Sequence, residues 1–151
     1  MKHFFIVLTV LTSSLSKAQT AEDSVKAVIN NLFTAMKNSD GALLKSCFSD
    51  SVVLQTIGKT KEGTMVVMTS SAKSFVDQIS TSVVGSLDER ITFETVKVDG
   101  PLAIAWTPYT FYYNGMLSHC GTNSFQLVRF NGVWKIQYII DTRRRQGCPG
   151  Q

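Results

Sequence analysis

The first clear rhythm in the chain lies in residues 21–37, AEDSVKAVINNLFTAMK. There Val25, Val28, Ile29, Leu32, Phe33 and Met36 recur at i, i+3, i+4, i+7, i+8 and i+11. That spacing predicts an amphipathic helix with one buried face. NSDG ends it, and Asp40 is placed to cap a short second helix carrying Leu43, Leu44 and Cys47. SVVLQTI then reads as a strand, GKTKEGT as a turn and MVVMT as a short returning strand. Ser70 or Ser71 can cap a third helix, with Ala72, Phe75, Val76, Ile79 and Val83 along one face, and GSLDE breaks it.

From Arg90 onward the rhythm changes. RITFETVKV, LAIAWTPYTFYY, MLSHCGTNSFQLVRF and VWKIQYIIDT are rich in β-branched and aromatic residues, and Asp99-Gly100, Asn114-Gly115 and Asn131-Gly132 separate them. Asn-Gly between two such runs is a strong hairpin signal, because both residues tolerate the positive φ of a type I′ turn. Helices first and a long antiparallel meander afterwards predict an α+β fold, one curved sheet packing its apolar face onto segregated helices.

The same order of elements resembles the nuclear-transport-factor-2-like superfamily of cystatin-like α+β cones, its lumazine-binding-like and SnoaL-like groups in particular. Phe48-Ser49-Asp50-Ser51 resembles the family's F-x-x-D/N step before the first strand, and NGVWKIQYIIDT resembles its closing strand. The resemblance spans roughly residues 21–142. It implies a cone-shaped, strongly curved mixed or antiparallel sheet wrapped around three N-terminal helices, with a central pocket. The superfamily holds isomerases, dehydratases, cyclase-like proteins and non-enzymatic modules, so the resemblance narrows fold more than function.

The two Asn-Gly turns set an expected register. Two-residue loops make Tyr113 face Met116 and Phe130 face Val133, and direct partners share a face. Counting back puts Trp106, His119, Asn123, Phe125, Trp134, Ile136, Tyr138 and Ile140 on one mainly apolar face, with Tyr112 at its end. The opposite face takes Ala103, Ala105, Tyr109, Cys120, Asp141 and Arg143. Pro108 opposite Gly121 marks a place for a bulge. One inserted residue there would turn Tyr109 and Cys120 inward and His119 outward, and Asp141 would follow if the last strand carries its own bulge. The candidate ligand-binding residues are therefore Trp106, Tyr109, Tyr112, His119, Asn123, Phe125, Tyr138 and Ile140. An apolar hollow with a few convergent polar groups is the usual form of a small-molecule site. His119 and Asp141 are the candidate catalytic groups, for proton transfer beside a carbonyl.

Other features bound the reading. MKHFFIVLTVLTSSLSKAQT has a basic start, a short apolar run and small residues up to Ala18, the plan of a secretory signal peptide at residues 1–18 followed by one domain at 19–151. Export implies a secreted or periplasmic protein with no stable membrane anchor after cleavage. Removing Lys2 and Lys17 would lower the net charge from +4 to about +2. Outside Arg143-Arg144-Arg145 the basic residues are scattered, which argues against a nucleic-acid partner. Cys47, Cys120 and Cys148 allow three disulfide pairings and leave one thiol over. His119 and Cys120 are neighbours on a strand, point to opposite faces and cannot activate each other. With so few His and Cys ligands, no metal and no cofactor is expected.

Three functions remain open on these grounds. The first is an exported binder of a small hydrophobic or aromatic molecule. The second is an isomerase, dehydratase or cyclase-like enzyme using an inward His119 or Asp141. The third, implied by the resemblance, is a non-catalytic module that forms a homodimer through its outer sheet face.

Overall fold

The computed structural model describes residues 20–150, so the signal segment predicted at residues 1–18 lies outside the described residues. The elements are α1 (Ala21–Asn38), α2 (Gly41–Cys47), β1 (Phe48–Lys59), β2 (Met65–Ser70), α3 (Ala72–Ser80), β3 (Leu87–Ile91), β4 (Thr95–Asp99), β5 (Leu102–Tyr113), β6 (Met116–Phe130) and β7 (Val133–Arg144). No helix among the described residues is long and apolar enough to cross a membrane.

Local chemistry sets the helix ends. The Thr20 side chain accepts from the Asp23 backbone N–H at 3.0 Å, and Asp23 accepts from the Thr20 N–H, a capping box worth about 1 kcal/mol. Asp40 caps α2 by accepting from the Leu43 N–H, and Ser71 caps α3. The helix predicted from Ser70 or Ser71 ends at Ser80, before Val83, which is exposed. The strand predicted over RITFETVKV is two short strands, because Thr92 to Glu94 leave the ladder between β3 and β4. Both pair antiparallel with β5.

The seven strands form one mixed sheet in the order β2-β1-β7-β6-β5-β3, with β4 also on β5. β1 runs parallel to β7, and the other pairs are antiparallel. The apolar stripe of α1 (Val25, Ile29, Leu32 and Phe33) is buried against the concave face, where Phe125, Leu127, Trp134 and Ile136 are almost fully enclosed. Phe33 meets Phe125 edge-on at 6.2 Å, a geometry that adds to the area both rings bury.

Two bulges decide which residues face inward. In β5–β6 the expected partners hold for Tyr113 with Met116 and Tyr112 with Leu117, and then Phe111 pairs with His119. Ser118 is the extra residue. Beyond it β5 presents Ala103, Ala105, Thr107, Tyr109 and Phe111 to the inside, while β6 keeps His119, Gly121, Asn123 and Phe125 there. In β6–β7 Leu127 pairs with Ile136 and Gln126 with Tyr138, so Gln137 is extra and β7 turns over beyond it. Its amide explains the second bulge. Ser49 donates to Gln137 Oε1 at 2.8 Å, and Gln137 Nε2 donates to the Ser51 carbonyl at 3.0 Å. The Phe48–Ser51 step, itself an irregularity in the β1–β7 pairing, thus receives the side chain of the bulged residue.

Cys120 pairs with Cys148, 28 residues apart, with Cα atoms 5.6 Å apart, and Cys47 is a buried free thiol. Cys120 points to the convex side as the unbulged register has it, but it is fully buried and bonded to Cys148 of the C-terminal tail. A crosslink closing a loop of this length stabilises by roughly 2–4 kcal/mol. Cys148→Ser is expected to lower the unfolding free energy by that amount, seen as a lower urea midpoint with a somewhat steeper slope as the unfolded chain expands. A midpoint equal to the parent's would show the tail bond to be energetically idle.

Candidate functional site

A cavity of about 420 Å³ lies between the concave sheet face and helices α1 and α3. Its walls are mostly apolar: Leu32, Phe33 and Met36 from α1, Phe75 and Ile79 from α3, and Phe111 and Phe125 from the sheet. Polar groups include Glu89 on β3, Tyr109 on β5, His119 and Asn123 on β6, and Asp141 and Arg143 on β7, with Gln55 and Thr56 on β1, Ser70 on β2 and Gln78 on α3.

Of the residues predicted as site residues, Tyr109, His119, Asn123, Phe125 and Asp141 line the cavity. Trp106, Tyr112, Tyr138 and Ile140 do not. Trp106 and Tyr112 share the parity of β5 that the Ser118 bulge sends to the convex side. Trp106 is 48% exposed there, and Tyr112 stacks under the Arg90 guanidinium at 4.2 Å. Tyr138 and Ile140 are turned out by the Gln137 bulge, and the Tyr138 hydroxyl donates to Gln55 Oε1 at 2.6 Å. The bulge expected near Pro108 and Gly121 falls instead at Ser118, so Tyr109 and His119 both face inward and neither excludes the other.

Asp141 is held on all sides. Thr56 Oγ1 donates to its Oδ1 at 2.6 Å, while Arg143 Nε at 2.8 Å and the Tyr109 hydroxyl at 3.3 Å approach Oδ2. The Tyr109 hydroxyl also lies 3.0 Å from the Thr142 carbonyl. To reach β7 from β5 its ring crosses β6 above Gly121, the one position on that path without a side chain. Burial, together with the nearby Asp141 and Glu89 charges, pushes the Tyr109 pKa up, so the phenol stays protonated. Arg143 also donates to Thr56 Oγ1 at 3.2 Å and stands at the cavity mouth, its side chain 55% exposed. Burial works against its charge, but the Asp141 carboxylate outweighs it and the pKa moves up.

Glu89 is different. One carboxyl oxygen accepts from Asn123 Nδ2 at 2.9 Å, and no described residue bonds the other. Partial burial against the cavity wall pushes its pKa up to about 7, helped by the Asp141 charge and opposed by Asn123 and Arg143. His119 moves the other way. Burial and the positive Arg143 and Arg145 lower its pKa, so the imidazole is neutral near pH 7. Its ring lies edge-on to Tyr109 at 5.7 Å and 4.9 Å from Phe111, with Nδ1 3.1 Å from Ser118 Oγ.

Glu89 and Arg143 are the charged cavity residues absent from the predicted site residues. Glu89 sat in GSLDE, read as a helix breaker. The available signal was period two: Leu87, Glu89 and Ile91 alternate on one face, with Leu87 nearly buried. Among the described residues, no group of His, Cys, Asp and Glu is arranged to hold a metal ion.

The fold has close counterparts among solved structures. A nuclear-transport-factor-2-like protein of unknown function from Shewanella baltica OS155 superposes with a TM-score of 0.64 at 15% identity, covering 82% of this chain and 93% of that one. A domain of unknown function with a cystatin-like fold from Nostoc punctiforme gives 0.64 at 19% identity, over 86% and 82%. A nuclear-transport-factor-2-like protein from Cytophaga hutchinsonii gives 0.61 at 15% identity, over 83% and 99%. No family model matches the sequence, and no curated protein does. The chain has the nuclear-transport-factor-2-like, cystatin-like α+β fold expected from its order of elements.

Proposed function

We propose that the protein binds a small, largely apolar molecule in the concave cavity and exchanges a proton with it at Glu89. The observation that carries this is a half-buried carboxyl group with one uncommitted oxygen, lining a cavity walled largely by apolar side chains; its pKa is pushed up to about 7. A group whose pKa lies close to the working pH can both give and take a proton at little cost. Asp141 is unsuited to that task, because three donors fix it. It serves instead to hold Tyr109 and Arg143 in place.

A second reading, a proton-transferring enzyme of the isomerase or dehydratase kind, is favoured by His119. A neutral imidazole in the same cavity as Glu89 supplies the second acid–base partner such chemistry uses. Turnover that His119→Ala abolishes while binding persists would select this reading over simple capture. Export is supported by the Cys120–Cys148 disulfide, since such bonds persist in oxidising compartments.

The test is a fragment screen read on the Glu89 carboxyl and Asn123 amide resonances. In the free protein the Glu89 midpoint is expected near 7, and a cavity ligand should displace it and shift Asn123. A midpoint in the ordinary carboxylate range, or ligands that perturb only the convex face, would overturn the proposal.

A further inference from the structure

Each charged group at the cavity can be followed to its partner. Asp141 is matched by Arg143, Thr56 and Tyr109. Arg143 is spent on Asp141 and Thr56 and stands at the mouth. Only Glu89 has a neutral partner, the Asn123 amide, and an oxygen left over. The groups facing it from β5, β6 and β7 are Tyr109, His119, Asn123, Asp141 and Arg143, while α1 and α3 face the cavity with apolar side chains and Gln78. When Glu89 is ionised its carboxylate therefore lies in a hollow with no cation of its own. The rings of Phe33, Phe75, Phe111 and Phe125 line the same cavity. Aromatic faces attract cations, and do so more strongly when both are withdrawn from water.

We propose that the molecule filling the cavity carries a basic amine, held as an ammonium against Glu89 with its apolar body among these rings. This rests on reading the cavity as a ligand site and names the chemistry of what enters it. A neutral amine arriving at protonated Glu89 gains an N–H bond as the carboxyl O–H bond breaks. An ammonium arriving at the same group sends the carboxyl proton to solvent. Both routes end in one carboxylate–ammonium pair, a charge-assisted hydrogen bond stronger than a neutral one. The two other classes fit less well. An alcohol leaves the charge of Glu89 unmatched, and a carboxylate sets a third negative charge beside those of Glu89 and Asp141.

Three matched probes test this: 4-phenylbutylamine, 4-phenylbutan-1-ol and 4-phenylbutanoate, titrated into the protein by calorimetry and cavity resonances at pH 6 and pH 8. The amine is expected to bind at least about tenfold tighter than the alcohol at pH 8, with the carboxylate weakest. Its apparent affinity should rise about tenfold from pH 6 to pH 8, following the ionised fraction of a group titrating near 7. Any charge that His119 sheds within this interval acts in the same direction, so the variant Glu89→Gln separates the two. It keeps the oxygen that Asn123 bonds, and it should lose both the amine preference and most of the pH dependence. If that variant does not fold, the pH dependence and the amine–alcohol ratio of the parent decide alone. An alcohol that binds as well as the amine at pH 8 overturns the amine proposal and leaves the cavity a ligand site. Failure of all three to shift cavity resonances overturns both.

Discussion

Replacing Gly121 by alanine is expected to destabilise the protein by about 3–5 kcal/mol, at the upper end of what a single added methyl group does. A Cβ built at this position would stand 1.8 Å from the Thr142 carbonyl oxygen, 2.8 Å from its carbon and 2.9 Å from Tyr109 Cε1. The ring can turn aside, but the carbonyl belongs to the neighbouring strand and cannot. Strand β6 must then part from β7 at the Gly121–Arg143 pair, which pulls on Asp141 and on the disulfide-linked Cys120. Gly115→Ala is the control for conformation alone. A Cβ there meets nothing, φ is +78°, and the cost should be about 1–2 kcal/mol. Urea midpoints of the two variants give the comparison. Adding Tyr109→Ala to Gly121→Ala should not restore stability, because the backbone clash remains. A restored midpoint would make the ring the true obstacle and the strand contact incidental.

The same glycine shows where the sequence is and is not readable. Periodicity located the helices because their apolar stripe is set by local geometry, and Asn-Gly located two hairpins because only a few residues tolerate positive φ. Asn114 and Asn131 do have φ of 50° and 48°. The helix-then-meander order carried the fold class. Facing was a different matter, since a strand has a period of two and one extra residue inverts everything beyond it. Ser118 and Gln137 have no signature of their own. Gln137 becomes a bulge because Ser49 and Ser51, some 86–88 positions away, bind its amide. That is a long-range contact, and no local window contains it. The consequence was selective. His119, Asn123 and Phe125 lie between the bulges and kept their expected face. Trp106, Tyr112, Tyr138 and Ile140 exchanged sides with Tyr109 and Asp141. Glu89 was hidden for a separate reason: acidic residues after a Gly-Ser pair read as a turn, while here they open an edge strand.

The arrangement also divides the acidic groups by how well they are served. Asp141 has a donor for each role it fills. Glu89 lacks one, and an enclosed carboxylate without sufficient donors costs stability when it ionises. Glu89 lines the concave cavity, so a molecule bound there could supply the donor that its second oxygen lacks.

Glu89→Gln is expected to make the protein more stable above neutral pH, by about 3.5 kcal/mol at full effect. That is the linkage energy of a carboxyl moved from its ordinary 4.5 to about 7 on folding. Because the folded-state value is raised, the folded chain binds more protons than the unfolded chain between these two values. Glu89 is therefore neutral and harmless to stability below about pH 4.5, and its destabilising effect grows as pH rises through 7. The parent should lose stability across that window, and the glutamine variant should lose much less. Gln can still accept from Asn123 through its carbonyl oxygen, so the difference reports the charge rather than a lost bond. Urea unfolding of both proteins at pH 4 and pH 8 measures it: near-equal midpoints at pH 4, and a clear gain for the variant at pH 8. Parallel pH profiles would show that Glu89 ionises as freely in the folded chain as in the unfolded one. A saturating amine ligand should narrow the gap at pH 8 by stabilising the parent more than the variant, since tighter binding to the native state adds more to its stability. The fold would then be seen to hold an unfavourable carboxylate whose missing partner is the ligand.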